Sequence, residues 1–417
     1  MNTPSPRRAW CAAVLGCLVV PFATAGTLSL DTATNLAVRR TPLLDARRAQ
    51  AESARQEVRR AGALPDPQLT VGIDNLAVQG PGAFTAGGDD MTMRTVGVTQ
   101  VLPSSAKRGA QRQEARARVE VADADTVATA LLVRRQAAEA WIAVSTAQDE
   151  IAALNAMHRS LEADVDVARA RLRGGGSAGD VLAARASVLD VDNRTEAARG
   201  RLAQARAQLA RWLGDDARDD LAEAPDYTRL LIDGDTLLGR LDDQAALLGW
   251  APRERLADAA LAGARAERHP DWSIGASYGS RVRGLSDMVS LQVGVSLPLF
   301  TRNRQDRGVA ARLAEVDAIH DAHEDARREQ KAMIQAALAD WRSLGEQVRR
   351  QHDDVLPLAE DRGTVALAGW RGGGDIQPLL QARRDELAAR LDDVRLRADQ
   401  ARAWASLAFL LPQGTTP

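Results

Sequence analysis

Cysteine occurs at only two positions, Cys11 and Cys17, and both fall within the first 25 residues. There Arg7 and Arg8 precede an apolar run from Ala9 to Ala23, and Ala23-Thr24-Ala25 forms a small-residue cleavage site. That is the layout of a secretory signal peptide over residues 1–25. The mature chain is expected to begin near Gly26 without any cysteine, which excludes disulfides, cysteine-held metals and thiol catalysis. Val14-Leu15-Gly16 before Cys17 also fits lipidation of Cys17, but the residues after it stay apolar, which favours ordinary cleavage. Beyond the signal no apolar run reaches 18 residues, so no membrane-spanning helix is expected. Lysine occurs only at Lys107 and Lys331, and the formal charge of −2 leaves no footprint for nucleic acid. No glycine-rich phosphate loop follows a strand, and no Ser/His/Asp arrangement stands out. The chain therefore reads as non-enzymatic, with no cofactor.

What is present is helix, interrupted twice by the same four residues. RGGG stands at Arg173, Gly174, Gly175 and Gly176 and again at Arg371, Gly372, Gly373 and Gly374, 198 positions on. Residues 104–173 and 302–371 each read as one continuous helix, roughly 100 Å long at a rise of about 1.5 Å per residue. After the first RGGG, Val181, Val188, Thr195, Leu202 and Leu209 recur every seven residues, with Ala184, Val191, Ala198, Ala205 and Trp212 three places later. After the second, Leu380, Leu387, Val394, Ala401 and Ala408 do the same. These are coiled-coil seams, so each RGGG is expected to be the tip of a helical hairpin. Trp141, Trp341, Trp370 and Trp404 lie on the helices and read as packing residues.

Between the helices lie four stretches of period two, the spacing of strands. In DWSIGASYGS (Asp271–Ser280), Trp272, Ile274, Ala276 and Tyr278 share a face. In SLQVGVSLPLF (Ser290–Phe300), Leu291, Val293, Val295, Leu297 and Leu299 share one. PQLTVGID (Pro67–Asp74) and TVGVTQVL (Thr95–Leu102) are their weaker counterparts. Gly97 matches Gly294 at an offset of 197, close to the 198 of the RGGG copies, so the chain reads as an internal duplication. Residues 26–213 form a first repeat with its tip near 173–180, and residues 236–412 a second with its tip near 371–376. The acidic stretch 214–235 between them reads as a solvated connector. Strands apolar on one face and small-polar on the other fit a transmembrane barrel. Four cannot close one, and open edges are not tolerated in lipid, so three copies sharing twelve strands are expected. Trp272 opens one strand and Phe300 closes its partner, which puts both rings at the helix-side membrane interface.

The motifs together resemble the TolC-type outer-membrane efflux factors. LSLDTATNLAVRRTP (Leu28–Pro42), ALPDPQLTVGIDNL (Ala63–Leu76), VGVTQVLPSSAKRGAQ (Val96–Gln111) and VGVSLPLFTRNRQ (Val293–Gln305) carry the resemblance, with the duplicated tips. PDPQLTVGIDNL is similar to the heavy-metal branch, which serves cobalt–zinc–cadmium or copper–silver pumps. The resemblance implies a mainly helical chain with four strands. It implies a homotrimer with a 12-stranded β-barrel in the outer membrane and a long periplasmic α-barrel. The function implied is a passive, gated efflux duct. Its implied partners are a periplasmic adaptor docked at the RGGG tips and an inner-membrane pump of the resistance-nodulation-division type. Asp375, and Asp180 near the first tip, are the implied carboxylates of the periplasmic gate, and a cap on the returning helix explains either as well. The implied cargo is heavy-metal cations, with drugs or other small organic molecules as the alternative. A soluble periplasmic coiled-coil adaptor or scaffold also explains export and heptads, but not four amphipathic strands at duplicated positions. His320 and His323, three apart on a long helix, are weak metal candidates; they are expected to face solvent on a polar stripe, and no metal site is assigned.

Overall fold

The computed structural model describes residues 27–281 and 284–412. The expected signal peptide, with Cys11 and Cys17, lies outside them. Two short helices, α1 (Leu30–Arg40) and α2 (Pro42–Arg60), lead to strands β1 (Gln68–Asp74) and β2 (Met93–Leu102). Then come the 69-residue α3 (Ser105–Arg173) and the returning α4 (Ala178–Leu213). After the connector, α5 (Gly234–Gly239) and α6 (Trp250–Ala266) precede β3 (Trp272–Arg281) and β4 (Met288–Val295). Helix α7 (Gln305–Arg350) runs through a π-helical turn at Gln351–Val355 into α8 (Leu356–Arg371), and α9 (Gln377–Ala408) returns. No helix among the described residues is long and apolar enough to cross a membrane.

The heptads sort the helical residues as expected. Ala184, Val188, Val191, Thr195, Ala198, Ala205, Leu209 and Trp212 are buried on α4, and Leu380, Leu387, Val394, Ala401 and Ala408 on α9. The second long helix departs from the expected continuous run. Pro357 has no N–H and its ring crowds the carbonyl four residues back, so the helix widens by a π turn just before it. The acidic connector is also more than solvated chain. Leu28 bridges Leu221, and two indoles grip the connector: Trp341 Nε1 donates to Tyr227 O at 2.9 Å and Trp404 Nε1 to Arg229 O at 2.7 Å. The fully buried Trp141 likewise donates to Leu28 O at 2.9 Å.

The four strands form one antiparallel sheet in the order β1-β2-β3-β4. Register aligns apolar side chains in rows across it: Leu69–Val98–Ala276–Leu291 and Val71–Val96–Tyr278–Val289. Among the described residues no layer covers this face; Leu291 is 80% and Val71 74% exposed. The other face carries Thr70–Gly97–Ser277–Ser290, and it is tight. A Cβ on Gly97 would lie 3.0 Å from that of Ser277. An uncovered apolar face on one side and a crowded small-polar face on the other fit the two sides of a barrel wall, as the period-two alternation leads one to expect. β4 ends at Val295, short of the expected Phe300. Ser296 turns to bond Asp271, and Pro298 cannot extend the ladder. Phe300 is 85% exposed and stands at the helix end of the sheet, beyond the strand, while Trp272 does open β3.

Asp271 joins sheet to helix. It accepts from Ser104 N at 2.9 Å, the cap of α3, and from Lys107 Nζ at 2.7 Å. Burial alone would raise its pKa; the Lys107 and Ser104 bonds outweigh that and hold it below the ordinary carboxylate value. A carboxyl with a lowered folded pKa adds stability above the unfolded value, about 3.9, and loses it as pH falls through the lower folded value. Asp271→Asn is therefore expected to cost about 1.5–3 kcal/mol at neutral pH. The gap to the parent in thermal melts should close as the pH is taken below about 4. A gap independent of pH would show that the charge of Asp271 is not what holds the junction.

Candidate functional site

The two hairpin tips share one backbone geometry. Gly175 lies at φ +95° and Gly373 at φ +103°, a left-handed conformation that favours glycine. Gly176 N donates to Arg171 O at 2.8 Å and Gly175 N to Leu172 O at 3.1 Å. In the second tip Gly374 N donates to Gly369 O and Gly373 N to Trp370 O, both at 3.1 Å. These paired bonds are Schellman caps that close the ends of α3 and α8. Gly176 and Gly374 are also needed small, since a Cβ on either would meet backbone at 3.0 Å. The remaining glycine of each tip is not required by the turn. Gly174 and Gly372 have φ of −93° and −75°, and a Cβ there would find nothing nearer than 3.4 and 3.5 Å.

Both tips are held side by side by residues just before the repeated motif, where the two copies differ. Arg171 Nη1 donates to Trp370 O and, at 3.4 Å, to Gly374 O, while its guanidinium lies 5.1 Å from the Trp370 ring centroid. Trp370 is buried, and its Nε1 donates to Asp180 Oδ2 at 3.2 Å. Asp180 thus joins the two hairpins. Asp375 is exposed and its Oδ1 accepts from Gln377 N at 3.1 Å at the start of α9. The clamp residue Arg171 was missed in the sequence. Its trace there is the break in repeat symmetry, Arg171-Leu172 in one copy against Gly369-Trp370 in the other.

From about two to four turns above the tips runs a buried ion network. Arg383 of α9 forks onto Asp164 of α3 at 2.8 and 3.3 Å and reaches Glu386 at 2.9 Å. Arg390 bonds Glu386 at 2.7 Å and Glu360 of α8 at 2.9 Å. Asp164 and Glu386 are each 3% exposed. The histidines lie elsewhere, on α7 against α6, and His323 does not face solvent as expected. Its Nδ1 is 2.7 Å from Glu254 Oε1, and its ring stacks on Trp250 at 5.6 Å. His320 Nδ1 is 3.2 Å from the same oxygen. Among the described residues no three groups converge as a metal site.

The family model described as "Outer membrane efflux protein" matches residues 33–215 and 241–413. No curated protein matches the chain in sequence. Solved structures do match in fold. A membrane protein from Pseudomonas aeruginosa superposes with a TM-score of 0.78 at 18% identity, covering 92% of this chain and 90% of that one. The Campylobacter jejuni CmeC outer membrane channel gives 0.75 at 14% identity, with 98% and 93% covered. The open state of the Neisseria gonorrhoeae MtrE outer membrane channel gives 0.74 at 17% identity, with 91% and 88% covered.

Proposed function

The chain belongs to the outer membrane efflux protein family, and from that premise we propose how this channel of a tripartite efflux system is built and docked. It does no chemistry; it is a duct with a long periplasmic helical extension. Channels of this type form trimers. Three copies of the four-stranded sheet make twelve strands, with the rows ending at Leu291 and Val289 toward lipid and the Ser277–Ser290 face toward the lumen. Trp272 and Phe300 stand at the helix-side interface. Residues 26–213 and 236–412 act as two repeats around the connector 214–235, each supplying one tip.

The tips, residues 173–176 and 371–374, are the surface that receives a periplasmic adaptor, which in turn engages a resistance-nodulation-division pump. The observation that carries this is Gly174 and Gly372. The turn has room for a side chain at both, yet both are bare and exposed, as a surface approached closely by another backbone requires. Three Asp375 carboxylates around the axis form a ring that favours cations at the periplasmic mouth. Asp180, the other gate candidate, supports the tip pair through Trp370. Heavy-metal cations are the proposed cargo, supported by the PDPQLTVGIDNL segment.

Membrane fractionation followed by light scattering of the detergent-extracted particle tests the assembly. The expected particle comes from the outer membrane and contains three chains. A monomer in the soluble periplasmic fraction would return the chain to the scaffold reading. Loss of the gene should sensitise the host to divalent metals; sensitivity confined to organic toxicants would overturn the cargo.

A further inference from the structure

Near the tips each hairpin buries one seam and leaves one apolar stripe bare. On α4, Leu182 and Leu189 lie outside the heptad seam, seven residues apart, 68% and 61% exposed. On α8, Leu358 and Val365 lie outside the buried Ala359–Gly363–Trp370 line, also seven apart, 62% and 72% exposed. Large apolar side chains this bare, in register on otherwise polar helix surfaces, mark a covered face. Along their length α4 packs on α3, α3 on α9, and α9 on α8. Helices α4 and α8 are therefore the two flanks of the layer, although Trp370 reaches across to Asp180 at the tip itself.

The two stripes match in height. The Arg171 clamp sets both tips at one level. Leu182 lies seven residues after Gly175 and Val365 eight before Gly373; Leu189 lies fourteen after and Leu358 fifteen before. At about 1.5 Å per residue the two rungs stand roughly 11 and 22 Å above the turns on both flanks. Helix α4 climbs from the tip and α8 descends to it, so the flanks run antiparallel. Between the rungs stand exposed groups of opposite charge, Arg185 on α4 and Asp361 on α8. Rotation about an axis along the helices keeps every residue at its height, so a cyclic assembly brings one copy's α4 stripe against the next copy's α8 stripe level for level.

We propose that Leu182 and Leu189 interlock with Val365 and Leu358 of the next copy of this chain, a two-rung seam that joins subunits at the periplasmic end of the helical barrel. The proposal rests on the ring reading above. It is tested in the full chain extracted from the outer membrane, with cysteine pairs at matched positions, Leu182→Cys with Val365→Cys and Leu189→Cys with Leu358→Cys. The mismatched pair Leu182→Cys with Leu358→Cys serves as the comparison, and the unsubstituted chain controls for Cys11 and Cys17. Oxidation or a short bismaleimide should link matched pairs into covalent trimers at least fivefold more efficiently than the mismatched pair. Equal linking, or a trimer by light scattering in which no matched pair links, overturns the seam while leaving the duct reading in place. If the unsubstituted chain forms no trimer, seam and duct fall together.

Discussion

Tryptophan in place of both Gly174 and Gly372 is expected to abolish efflux in a host that depends on this channel, while the amount of trimer in the outer membrane stays unchanged. The pair isolates docking from folding. At Gly175 and Gly373 any side chain would have to adopt positive φ, at roughly 1–2 kcal/mol each, so loss of function there would have two causes. At Gly174 and Gly372 the backbone suits any residue and the Cβ has room, so bulk is added to the outer surface alone. Alanine at the same two positions is the control; it should fold as well or slightly better, by about 0.4–1 kcal/mol per site, and keep most efflux. The readout is growth against the pump's substrates, with a blot of the membrane fraction. Full resistance with tryptophan at both tips would remove them from the docking surface.

Much of this fold was legible because it repeats. Heptads name the buried positions of α4 and α9, and period two names the outer rows of the sheet, since both patterns follow from local geometry. The errors arose where a single residue or a distant partner overrides the period. The alternation through Leu297 and Leu299 is real in the sequence, but Ser296 bonds Asp271 and Pro298 ends the ladder, so Phe300 falls outside the strand. Pro357 changes the second long helix without changing its composition. Along the chain nothing marks the partners of Asp180 and His323. Their partners, Trp370 at 190 positions and Glu254 at 69, are brought to them only by packing. The site was half legible for the same reason: RGGG announces each turn, but nothing local says that Arg171 closes one tip upon the other.

Arg383→Met is expected to be the most destabilising single change among the charged residues, at about 3–5 kcal/mol. The Arg383 fork is the bond between α3 and α9 above the tips, and its loss strands Asp164 and leaves Glu386 with Arg390 alone, both carboxylates 3% exposed. Arg383→Lys should recover only part of the loss, because a single ammonium cannot satisfy both oxygens of Asp164 and Glu386 at once. The decisive variant removes Arg383 together with both of its carboxylates, Arg383→Met with Asp164→Leu and Glu386→Leu, and leaves Arg390 paired with Glu360. Desolvating three charged groups offsets much of their attraction, so this triple variant should melt close to the parent and well above Arg383→Met. Circular dichroism melts of the detergent-extracted trimer measure all three. If the triple variant melts as low as Arg383→Met, the arginine contributes through the packing of its stem, and the network is not what ties the two hairpins together.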